Sequence, residues 1–182
     1  MARAMTVRKA RELVLSEGAI PADTEFEIRP EVLSSWRRSI LSGAKVSLAE
    51  LPYVGESDIE SVLCMAADPV LSRLADRLSG LGAGVLLADR NARILRRWAS
   101  DPSILPLLDT LRSDSGFTGA EELVGTNGIG TVAETGRPIQ IVGHEHLMEK
   151  MVPFACVGVP IHNPISRRLE GIITMSCRAE AA

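Results

Sequence analysis

The apolar positions of this chain change rhythm near residue 83. Before that point they recur at helical spacing; after it they fall into short runs bounded by turn residues. A first helix is expected from about Ala2 to Ser16, with Val7, Leu13, Val14 and Leu15 partly on one side and the stretch 18–21, ending in Pro21, closing it before a loop to Glu27. A second begins at Pro30, which is tolerated in a first turn, and carries Val32, Leu33, Trp36, Ile40 and Leu41 towards Gly43. Residues 44–56 read as a linker. Ser57 and Glu60 have the spacing of a capping box, so a third helix is expected from 57 to 79, broken and restarted at Asp68 and Pro69. Its stripe is Ile59, Val62, Leu63, Val70, Leu71, Leu74 and Leu78.

The second half predicts five strands, at 83–89, 92–98, 138–143, 154–161 and 169–177. The first two form a hairpin about Arg90 and Asn91, and the last two are joined by the polar turn 162–168. Between the second and third strands lie a helix opened by Asp101 and Pro102 and a short one over Thr126–Thr135. The fold class is therefore α+β, an antiparallel sheet covered by helices. The chain divides into a helical extension and linker, 1–56, and a sheet-bearing domain, 57–182. It ends soon after the last strand, and we expect an isolated domain of a longer protein.

Composition narrows the functions. Three Phe, two Trp and one Tyr leave nothing for stacking a row of bases, and a net charge of −3 argues against a broad nucleic-acid face. Cys64, Cys156 and Cys177 are widely spaced and odd in number, which suits a reducing cytoplasm. No segment approaches the roughly 20 apolar residues of a membrane span, and no secretory leader is visible, so a cytoplasmic protein without a membrane partner is expected.

Several phrases stand out in order along the chain: Ser35–Ser39 (SWRRS) with Gly43, Asp68–Leu71 (DPVL), Gly125–Thr131 (GTNGIGT) with Gly136–Pro138 (GRP), Gly143–His146 (GHEH) and Val159–Pro164 (VPIHNP). Together they resemble GAF domains, in particular the N-terminal sensory regions of acetoin-operon-type activators and related actinobacterial GAF regulators. The ordered series covers about residues 30–178, and it departs from the family pattern at Leu147 and Asn163. The resemblance implies five to six strands in the order 2-1-5-4-3. It also implies a small-molecule-sensing regulatory domain, not an enzyme, which signals to an output domain outside the chain and contacts DNA only through it.

The residues set their own candidates beside that comparison. Thr126 or Asn127 can cap a helix, and Gly128 and Gly130 allow close backbone approach; the phrase lacks the order and the lysine of a nucleotide loop. His144 and His146 are too few for a zinc site, and no metal or cofactor is expected. An apolar cavity is expected between the sheet and segment 113–153. Its candidate lining is Trp98, Phe117, Thr126, Asn127, Ile129, His144, His146, Phe154 and Cys156. Such a site suits a small neutral or weakly acidic effector. A homodimer is expected through the helices near 30–41 and 57–79, Trp36 included. Two alternatives are a thiol-dependent enzyme of the GAF-like free methionine sulfoxide reductase kind and a purely structural dimerisation domain.

Overall fold

The computed structural model describes residues 6–18 and 28–181. The expected first residues of the opening helix and the loop through Glu27 lie outside the described residues.

Helix α1, Val7–Glu17, closes on Gly18, whose left-handed φ of 65° lets its N–H reach the Val14 carbonyl. Helix α2, Pro30–Leu41, starts on its proline and buries Val32, Ser35, Trp36 and Ser39, positions spaced 3, 4 and 7 residues apart. The buried stripe is thus more polar than the sequence pattern predicts, and Leu41 stands in solvent.

The third helix corrects the capping-box expectation. Helix α3 spans Val62–Arg77 without interruption, and Ser61 is its cap, accepting from the Cys64 N–H at 3.4 Å. Ser57 cannot cap because its hydroxyl donates to the Ile94 carbonyl, fastening the loop to the sheet. Asp68 does not restart a helix either; it pairs with Arg96 at 3.1 Å. Pro69 sits inside the helix, where it removes one ladder hydrogen bond. Burial of Cys64, Leu71 and Ala75 against the sheet holds the helix through that defect.

The strands are β1 (Gly84–Asp89), β2 (Ile94–Ala99), β3 (Ile139–Val142), β4 (Phe154–His162) and β5 (Leu169–Arg178). All neighbours are antiparallel, in the order β2-β1-β5-β4-β3, as expected. Between β2 and β3 come a 3₁₀ turn capped by Asp101, then α4 (Leu105–Thr110), α5 (Glu121–Val124) and α6 (Gly130–Thr135).

Two faces result. The inner face presents Leu86, Ile94, Ile141, Phe154, Cys156 and Ile172, and packs against α4, α6 and the extension in one continuous core that includes Val32, Trp36 and Leu51. The outer face presents Val85, Leu87, Leu95, Trp98 and Ile173 to α3.

One irregularity decides which face Trp98 joins. Leu87 pairs with Arg96 while Ala88 pairs with Ile94, so Leu95 is an extra residue in β2. Strict alternation from Ile94 would put Trp98 on the inner face; the bulge shifts the phase and sends it to the outer one.

Candidate functional site

A cavity of about 40 Å³ lies against the inner face, between β1, β2, β4 and β5 below and the loop ahead of α6 above. Leu51, Leu86, Ile94, Leu108, Leu111, Met151 and Phe154 form most of its wall. The sheet contributes Cys156, Thr174 and Ser176, and the loop contributes Asn127, Gly128 and Ile129.

The loop owes its shape to Asn127. The Asn127 carboxamide donates to the Gly119 and Gly125 carbonyls at 2.7 and 2.8 Å and accepts from the N–H groups of Ile129 and Gly130. All four of its hydrogen-bonding positions are filled, so it builds the roof. Gly128 lies against Gly158 of β4 so closely that a Cβ on Gly158 would overlap the Gly128 carbonyl oxygen. Glycine at both points lets loop and sheet meet backbone to backbone.

Of the residues proposed from the sequence, Asn127, Ile129, Phe154 and Cys156 share this cavity. The other five lie elsewhere. Trp98 is on the opposite face, carried there by the β2 bulge. Phe117 faces an open groove, where its ring meets Tyr53 edge-on at 5.3 Å and lies under Arg112. Thr126 is buried but turns to α2, its hydroxyl lying 2.7 Å from that of Ser35. His144 and His146 lie on the strap 143–151 that leads back into β4. Burial, with help from Arg11 and Arg8, holds the His144 pKa below its ordinary value. Complete burial pushes His146 down to about 4, so it is neutral in the folded protein.

The extension grips the same strap. Arg11, buried in α1, donates to the carbonyls of His146 and Leu147 at 2.9 and 2.7 Å and pairs with Glu149. Trp36 donates its indole N–H to the Glu145 carbonyl at 2.8 Å, and Arg29 holds the Glu145 carboxylate with two hydrogen bonds. Trp36 is fully buried here, which corrects its expected place on an exposed self-association surface.

Sequence reasoning missed the polar knot behind the roof. Glu121, only 2% exposed, accepts from Ser35, Thr131 and Arg38 at 2.6, 2.8 and 2.8 Å. Ser35 thereby connects α2 with α5, with Thr126 and with α6. The signal available was the serine spacing in SWRRS, which puts Ser35 and Ser39 on the buried side of α2. Thr174 and Ser176 were also missed, although their period of two in an otherwise apolar strand marks one face.

Nucleophilic chemistry finds no support. Cys156 and Cys177 lie in strands on opposite faces and Cys64 in a helix. Burial raises the Cys156 thiol to about 11, keeping it from the reactive thiolate. Among the described residues, no three His, Cys, Asp or Glu side chains converge as metal ligands, and no helix is long and apolar enough to cross a membrane.

The sheet order and its helical cover define a GAF-like α+β domain. A crystal structure described as the E. coli DhaR(N)–DhaL complex has a chain of the same fold, with a TM-score of 0.76 at 20% identity, matching 85% of this chain and 54% of that one. This chain belongs to the family described as MimR, N-terminal domain, whose model matches residues 4–182. The propane 2-monooxygenase operon transcriptional activator MimR of Mycolicibacterium smegmatis is 42% identical over 175 residues, 96% of this chain. The acetoin dehydrogenase operon transcriptional activator AcoR of Bacillus subtilis is 28% identical over 167 residues, 87% of the chain. The chain spans about 30% of the length of MimR and 27% of that of AcoR. These relatives are transcriptional activators, and family membership makes the chain a regulatory domain and not an enzyme.

Proposed function

We infer that this domain is the input end of a transcription activator, responding to a small effector held against the inner face. DNA is contacted by an output domain outside the chain. The reading rests above all on the Ser35 knot. The roof loop and α2 share buried hydroxyls and one carboxylate, so displacement of the roof is passed to a helix of the extension. Contiguous networks of this kind carry coupling between sites when they switch between two arrangements.

The test places Ser35→Ala in the full-length regulator and measures both promoter affinity and effector-dependent transcription from its operon. The expected result is an altered transcriptional response with promoter affinity unchanged. An unaltered response would overturn the proposed route from cavity to extension.

Self-association belongs to the same reading, on a surface narrowed from the two helices near 30–41 and 57–79 to the outward side of α3. Val62, Met65 and Val70 are 77%, 62% and 53% exposed there. Light scattering should show dimers that Met65→Glu dissociates, and a wild-type monomer at high micromolar concentration would exclude the interface.

A further inference from the structure

The cavity's chemistry can be taken further, resting on the reading of the domain as effector-responsive. Among the described residues, each polar side chain that borders it has a bonding partner except one. Asn127 is saturated by the backbone. The Ser113 hydroxyl donates to the Leu108 carbonyl at 3.0 Å, and the Ser176 hydroxyl lies 3.3 Å from the Cys156 sulfur. Thr174, only 3% exposed, is left with a buried hydroxyl that has no partner. A buried hydroxyl without a hydrogen bond is a standing cost, removed by any occupant that supplies one.

Position adds to this. Thr174 pairs with Leu86 of β1 on one side and with Gly158 of β4 on the other, at the middle of the inner face. A Cβ on Gly128 would lie 3.1 Å from the Thr174 oxygen, so the hydroxyl sits directly beneath the roof loop.

Charge and size restrict the occupant. Among the described residues no acidic, basic or imidazole side chain borders the cavity, and the thiol of Cys156 there is neutral. A carboxylate, phosphate or ammonium group would be buried without a counter-ion, which is prohibitive. At about 40 Å³ the space is far below the roughly 300–1,000 Å³ of ordinary ligand pockets, and it excludes nucleotides and ring cofactors.

We propose that this cavity binds a neutral aliphatic molecule of roughly two to four heavy atoms carrying one hydroxyl or carbonyl oxygen. That oxygen bonds to the Thr174 hydroxyl, while the carbon end lies among Leu51, Ile94, Ile129 and Met151. Entry of such a molecule presses on the Asn127–Ile129 roof, the loop whose other side is fastened to α2 through Thr126 and Thr131.

The experiment is a methyl-resolved NMR titration of the 182-residue chain with ethanol, propan-1-ol and sodium acetate at constant ionic strength. The alcohols should give saturable shifts confined to methyls of Leu51, Ile94, Ile129 and Met151, and acetate should give none. Thr174→Val, which keeps the shape and removes the hydroxyl, should weaken alcohol binding roughly 3- to 10-fold. Thr174→Ser, which keeps the hydroxyl, should bind within about threefold of wild type and serves if the valine variant does not fold. Shifts that never saturate or spread over the surface would show that the cavity holds water only and would overturn the proposal. So would acetate binding at these methyls, or full affinity in a folded Thr174→Val variant. If alcohol binding fails while Ser35→Ala still changes the transcriptional response, the ligand class falls and the input reading stands.

Discussion

The two faces of the sheet are built alike and covered differently. Both alternate apolar residues at a period of two, yet among the described residues the inner face is closed by three helices, the roof loop and the extension, while α3 covers the outer one. On the inner side Phe154 of β4 and Ile141 of β3 are buried; on the outer side of β4, Val157 and Val159 are 37% and 36% exposed. Polar groups divide the same way. Thr174, Ser176, Thr126, Thr131, Ser35 and Glu121 are all buried on the inner side, a concentration that hydrophobic packing alone does not call for. The lesson is that the inner layer buries polar groups both beside the cavity and behind its roof, whereas the outer layer supports the sheet.

The largest expected effect tests the inner packing. Phe154→Ala removes a fully buried ring at the cavity edge and should cost about 3–5 kcal/mol in chemical denaturation; a loss near 1 kcal/mol would mean the inner face is as loosely covered as the outer. Next comes the strap. His146 ionises near pH 4 when folded and near 6.5 in the unfolded chain, so the unfolded state takes up the proton first. Its contribution is intact above pH 6.5 and is lost as pH falls towards 4, reaching about 3 kcal/mol. The difference between wild type and His146→Gln across that window should carry this slope, and parallel pH profiles would remove the histidine from the account. The smallest effect lies on the outer face, where Val159→Thr should change stability by no more than about 0.5 kcal/mol. A loss of 2 kcal/mol or more would show that this face is covered in solution.

The five strands and their polarity were legible because alternation and turn residues are local signals: Arg90 and Asn91 end a run, and 162–168 joins two others. Their spatial order came from family resemblance, since periodicity carries no information about which strands are neighbours. Asn127, Gly128 and Gly130 were legible too, as residues whose chemistry demands a special backbone, whereas Gly158 on the facing strand was not. Trp98 was misplaced because a single bulged residue is silent in the hydrophobic pattern and reverses everything after it. Ser57 and Asp68 illustrate another limit: each has the residue type of a cap, and each is claimed instead by a β2 partner distant in sequence. Glu121 was invisible as a buried group because its partners Ser35 and Arg38 lie more than 80 residues away.

The central claim is that α2 and the cavity roof behave as one unit while α3 does not share in it. Amide hydrogen exchange on Ser35→Ala addresses this directly. The account predicts faster exchange at the amides of Ile129, Gly130, Thr131 and Ala133, which lie in or just beyond the roof, with those of α3, β4 and β5 unchanged. Exchange confined to α2, or raised evenly over the whole sheet and α3, would contradict it.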